Sequence, residues 1–175
     1  MQQPRERSIL TPDQSSIFYV GTNGFVQEKR LYPGNTVWQP GTINKYNLRA
    51  FGSLSLPLTP GNNSEQDLSN GWDSYRMAAV FSRSFRDGPG ARFFYHAQSA
   101  TGTPVVQEMI WNMSNDTWSP GHQFYDPWPN SDLSATIDST THTLRLFYSS
   151  GNLTLQESWL NMTEPGAVYK PGNCP

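Results

Sequence analysis

The chain has 175 residues, 35% hydrophobic, 13% aromatic and 15% charged, with 14 glycines, 14 prolines and a formal net charge of −2 at pH 7. That length suits one domain, the Gly and Pro content breaks most windows long enough for a stable helix, and the scattered Lys and Arg argue against nucleic acid as a partner. The expected class is all-β, built from short strands and many turns, and no apolar run approaches the roughly 20 residues that span a bilayer.

Cys174 is the one cysteine, which excludes an internal disulfide and a paired-cysteine zinc site. His96, His122 and His142 have no acidic neighbours at metal-ligand spacing, so no metal and no cofactor is expected. The N-terminal MQQPRERSIL lacks the apolar core of a signal peptide. Five N-x-S/T triplets, at Asn62, Asn112, Asn115, Asn152 and Asn161, point the other way, toward an extracellular or secretory-pathway setting.

Taken in chain order, Arg7-Ser8-Ile9-Leu10 is a first strand. A hairpin follows, in which Ser16-Ile17-Phe18-Tyr19 and Val26-Gln27-Glu28 flank the turn Thr22-Asn23-Gly24. Beyond it comes Trp38-Gln39-Pro40-Gly41. A long loop is expected over 46–71, where Pro57, Pro60, Gly61 and Ser64 accumulate, although a decayed extra unit around Leu48-Arg49-Ala50-Phe51 stays open as the rival reading. The pattern then recurs. Arg76 to Phe81 is a strand, Arg92-Phe93-Phe94-Tyr95 and Val106-Gln107-Glu108 make a hairpin, and Trp118-Ser119-Pro120-Gly121 closes the unit. A third copy runs from Leu133-Ser134-Ala135-Thr136-Ile137 through Arg145-Leu146-Phe147-Tyr148 and Leu155-Gln156-Glu157 to Tyr169-Lys170-Pro171-Gly172.

Four short antiparallel strands per unit of roughly 40–50 residues is the period of a propeller blade. The expected units are 7–72, 73–128 and 129–175, forming a single β-propeller domain of about three blades. Because propellers typically have 4–8 blades, three do not close a ring. A dimer completing six blades would cover the exposed edges, and a truncated half of a longer six-bladed protein would look the same.

These marks resemble the fucose-binding lectins of fungi and bacteria, six-bladed propellers that repeat an Arg-aliphatic-aromatic-Tyr strand, a hairpin turn, a Gln-Glu or Thr-Glu pair and then Trp residues before a Gly. The resemblance covers nearly the whole chain apart from 46–71 and the tails. It implies a non-enzymatic carbohydrate-binding module with fucosylated glycans or glycoproteins as partners, and a sugar held between adjacent blades by Arg and Glu from one blade and an aromatic wall from the next. Such chemistry is sound: a carboxylate accepts from neighbouring hydroxyls, a guanidinium donates in a fork, and an apolar surface receives the methyl group of a deoxy sugar.

Carried over residue by residue, the resemblance implies three sites. Between the second and third units, Arg92 and Glu108 would face Leu160 and Tyr169, where the family usually has two aromatics. Between the first and second, Glu28 would face Trp111 and Trp118, but the arginine position is Ser16, so this site is expected to be weak or dead. The third pair, Arg145 and Glu157, would need Leu31 and Trp38 from a partner copy or from further sequence.

Other readings compete. The recurring Arg and Glu could be a structural ion pair on a sheet surface, and the Trp and Tyr marks could belong partly to the core. A glycoside hydrolase would need paired carboxylates; Asp73, Asp116, Asp126, Asp132 and Asp138 exist, but none recurs beside an acid partner. A protein-interaction scaffold with decayed sugar sites is a third reading, favoured by Ser16, Leu31 and Leu160 and opposed by the retained Arg and Glu pairs.

Overall fold

The computed structural model describes residues 7–11, 14–21, 23–50, 77–83, 85, 88–128 and 131–172. Among them the chain forms three four-stranded antiparallel sheets, each with its strands in sequence order. The first contains β1 (Arg7–Thr11), β2 (Gln14–Val20), β3 (Val26–Leu31) and β4 (Gln39–Pro40). The second contains β5 (Met77–Ser82), β6 (Gly90–Gln98), β7 (Pro104–Asn112) and β8 (Thr117–Tyr125). The third contains β9 (Ser134–Asp138), β10 (Thr143–Ser149), β11 (Leu155–Asn161) and β12 (Lys170–Pro171). The expected all-β class and the three blades are both present.

Alternation along each strand explains the stacking of the blades, because side chains at i and i+2 share one face. In β10, Leu144, Leu146 and Tyr148 are buried while Arg145 and Phe147 are half-buried on the other face. The innermost strands β1, β5 and β9 contact one another in succession, so the sheets stand face to face. Between the first two blades Phe18 stacks on Phe93 with ring centroids 4.8 Å apart, and Trp118 meets Phe18 edge-on at 5.8 Å. Between the second and third, Phe94, Phe124, Leu144, Leu146 and Leu160 form a second core.

The outer strands of the first and third blades, β4 and β12, have two residues each, and in the first blade β4 is followed by a 3-10 helix over Thr42–Tyr46. Asn47, at φ 49°, then returns the chain to the sheet, where Arg49 bridges Phe25 and the Leu48 carbonyl accepts from the Val26 amide at 2.8 Å. Residues 48–50 thus pair along the edge of the first blade. Phe51 and most of the expected loop, 51–71, lie outside the described residues.

Candidate binding site between the blades

Every blade carries a glutamate at the same place on its third strand, and its surroundings explain the recurring Pro-Gly mark. Glu28, Glu108 and Glu157 fold their carboxylates back onto Gly41, Gly121 and Gly172, and a methyl group on any of these glycines would lie under 3.0 Å from the acid. The glycine is needed for close approach rather than for a turn. The Gly41 and Gly172 amides donate to the backbone carbonyls of Glu28 and Glu157 at 2.9 and 2.7 Å, so the outer strand is held where the carboxylate presses on it.

Between the second and third blades the predicted residues converge. Arg92 donates from Nη1 to Glu108 Oε1 at 3.3 Å, Tyr169 from its hydroxyl to the same oxygen at 2.7 Å, and the His122 amide to Oε2 at 2.9 Å. Three of the roughly four acceptor positions of a carboxylate are used, which leaves one on Oε2. Burial first, then the adjacent Glu108 charge, keeps the Tyr169 hydroxyl protonated well above its ordinary range. Beside this cluster opens a cavity of about 420 Å³. Arg92, Glu108 and Tyr169 give it a polar end, and Ile110, Leu160 and Val168 belong to its apolar wall. His122, Asn161 and Glu164 add further polar groups to its lining, and the volume is in the range of small-molecule sites.

Sequence reasoning missed several of the groups here. Ile110, His122 and Ala167 line the cavity, yet none belongs to a recurring mark, and only their offsets from Glu108, Gly121 and Tyr169 could have indicated them. The Phe85 ring, 4.8 Å from the Arg92 guanidinium carbon, was also unforeseen.

The first seam brings Glu28, Trp111 and Trp118 together and also holds a guanidinium, which corrects the expectation of a seam short of an arginine. Ser16 donates to Glu28 Oε1 at 3.0 Å, while a guanidinium comes from Arg30, two residues along the same strand face. Arg30 donates from Nε to Glu28 Oε1 at 2.6 Å and from Nη2 to Oε2 at 3.1 Å, and both residues are 1% exposed. It also pairs through Nη1 with Asp116 of the second blade and stacks on Trp111 at 5.1 Å. Burial alone would disfavour the Arg30 charge, but the bonds to Glu28 and Asp116 outweigh it and raise its pKa above the ordinary value. Trp111 and Trp118 are buried at 5% and 3%, both in the hydrophobic core between the first two blades.

The third pair faces outward. Arg145 donates to Glu157, and the arginine side chain is 44% exposed. Leu31 and Trp38 lie on the opposite end blade, with Trp38 36% exposed. The structure therefore keeps these four residues apart within one chain.

No protein-family model and no curated protein matches the chain by sequence. Solved structures do. A lectin from Aleuria aurantia, described as a six-bladed β-propeller with a novel fucose recognition mode, superposes with TM-score 0.62 at 17% identity, over 92% of this chain and 42% of its own. A protein of Arthrobotrys oligospora gives 0.62 at 16%, over 98% and 42%. A fucose lectin of Kordia zhangzhouensis, solved with methyl-fucoside, gives 0.52 at 16%, over 94% and 95%. This chain spans less than half the length of the first two and nearly all of the third. By fold, then, it is an all-β set of three propeller blades, similar to half the ring of the six-bladed fungal lectin.

Proposed function

We propose that this chain is a metal-independent, non-enzymatic lectin that binds L-fucose-containing glycans in the seam between its second and third blades. The observation that carries the reading is the joining of Arg92 and Glu108 with the apolar wall of Ile110, Leu160 and Val168 in one cavity. The free position on Glu108 Oε2 accepts a sugar hydroxyl, the guanidinium donates to another, and the Tyr169 oxygen supplies a further acceptor. The 6-methyl group of fucose rests against the apolar wall, where a primary hydroxyl would lose its water without replacement.

The end blades extend the proposal. Arg145 and Glu157 repeat Arg92 and Glu108 on a face that no other blade among the described residues covers, and Leu31 and Trp38 repeat Leu160 and Tyr169 on the opposite end blade. A second copy joined head to tail at both ends completes six blades and builds the same site at each junction. Several weak sites on one ring then give useful avidity on a glycosylated surface. An extracellular or secretory-pathway setting belongs to the same proposal, with Asn115 and Asn152 exposed to accept glycans.

Binding to immobilised glycans with and without free L-fucose tests this reading. Selective binding competed by fucose is the expected result. Turnover of a chromogenic glycoside would favour the hydrolase, and a protein that ignores all glycans would favour the interaction scaffold.

A further inference from the structure

We propose that the first seam is a self-occupied copy of the binding site, in which Arg30 and Asp116, one from each blade, stand in the place of the ligand. The chain then has one intrachain sugar site instead of two, and the first seam serves as a tie between blades. This inference rests on reading the seams as sugar sites.

The repeat marks align the two seams position by position. Two residues beyond the glutamate, Arg30 corresponds to Ile110. Just after the Pro-Gly pair, Thr42 corresponds to His122, and two residues before the closing aromatic, Asp116 corresponds to Ala167. Ile110, His122 and Ala167 line the cavity of the second seam. In the first seam their three counterparts bond to one another: Arg30 pairs through Nη1 with Asp116, Arg30 Nη2 donates to Thr42 Oγ1 at 2.7 Å, and Thr42 Oγ1 donates to Asp116 Oδ1 at 3.2 Å. Arg30 already holds Glu28 through Nε and Nη2, and its remaining nitrogen, Nη1, is the one that reaches Asp116 across the seam. Arg30 and Asp116 occur together, on facing blades.

The remaining groups are engaged in the same way. Glu28 accepts from Ser16 and Arg30 on Oε1 and from Arg30 and the Ile43 amide on Oε2, the last at 3.3 Å. These contacts fill the roughly four acceptor positions of a carboxylate, whereas Glu108 keeps one open. Trp111, which would have offered its face to a sugar, carries the Arg30 guanidinium on it, and its Nε1 donates to Asp116 at 2.9 Å.

Calorimetric titration with methyl α-L-fucoside tests the proposal. In the variant E108A/E157A, which leaves Glu28 as the one glutamate of the three repeat positions, affinity should fall roughly 100-fold or more. Adding S16R, R30I and D116A to that background rebuilds the first seam in the image of the second and keeps a guanidinium beside Glu28. Binding should return at one site per chain and vanish with E28A. Residual binding in E108A/E157A that E28A removes would overturn the proposal, because the seam would be open as it stands. Should the rebuilt variant not fold, thermal unfolding of R30I, D116A and R30I/D116A decides: a double variant melting no lower than the worse single variant supports the tie, and additive losses overturn it. Wild-type protein that binds no fucoside would sink the underlying sugar reading and this inference with it, an outcome told apart by the wild-type titration.

Discussion

Replacing Gly121 by alanine adds one methyl group beside the second-seam cavity and changes no charge. Built on the observed backbone, that methyl lies 2.8 Å from Glu108 Cδ and 2.9 Å from Cγ, and nearer still to Oε2. Glutamate tips usually yield cheaply, but this side chain is 2% exposed and is held by Arg92, Tyr169 and the His122 amide. Moving the carboxylate away from the methyl carries Oε2 off the His122 amide first. A hydrogen bond to a charged group contributes about 1.5–3 kcal/mol. Loss of that one bond lowers the melting temperature by roughly 3–12 °C in a chain of this size. Fucoside affinity should drop about 10–100-fold, since each 1.4 kcal/mol is a factor of ten, because the displaced oxygen is also the one with a free acceptor position. Differential scanning calorimetry and isothermal titration measure the two effects on the same sample. A variant that melts and binds like wild type would refute the argument that the Pro-Gly mark exists to seat the carboxylate.

Other outcomes follow from the same geometry. L-Galactose, which adds a 6-hydroxyl to fucose, should bind roughly 10–100-fold more weakly, as an apolar wall rejects an added hydroxyl only to that extent; equal affinities by competitive titration would contradict the placement of the methyl group. Partial burial works against Asp116 ionisation, but its bonds to Arg30 and Trp111 prevail and hold its pKa below the usual value. Its contribution to stability is therefore present above the unfolded pKa of about 3.9 and lost as pH falls through the lower folded value. The melting difference between wild type and D116N should stay level from about pH 5 to 7 and shrink below about pH 4. Sedimentation of the wild type should give a dimer and F147D a monomer, because Phe147 repeats the buried Phe94 on the face of the third blade that no other blade among the described residues covers; a wild-type monomer at dilution would contradict ring closure by a second copy. Leu153 sits at φ 64° and is 66% exposed in the β10–β11 turn. Its replacement by glycine should stabilise by about 0.5–1 kcal/mol in denaturant unfolding.

Much of this architecture was legible because a repeat states its own register. Three copies of the hairpin and the Gln-Glu pair located β2–β3, β6–β7 and β10–β11, and alternation assigned their faces. The meeting of Arg92, Glu108, Leu160 and Tyr169 in one seam could be inferred because each is a member of a recurring set. Arg30 and Asp116 escaped for the opposite reason. They are where single copies depart from the others, and their partnership spans 86 positions of sequence. A reading that sought complementary departures, a cation in one unit and an anion in the next, would have found them. The short β4 and the 3-10 helix were hidden because the intact Trp38-Gln39-Pro40-Gly41 mark suggested an ordinary outer strand. In that helix Asn44 reaches back to hydrogen-bond both the amide and the carbonyl of Glu28. The purpose of the Pro-Gly pair also needed coordinates, since a close approach between side chain and backbone leaves no periodic signature.

X-ray diffraction from a crystal soaked with methyl α-L-fucoside bears most directly on the central claim. The sugar should appear in the seam between the second and third blades, with hydroxyls on Arg92 and Glu108 and its methyl group toward Ile110 and Leu160. Density for the sugar elsewhere with that seam empty, or a sugar turned with its methyl group toward the carboxylate, would contradict the account.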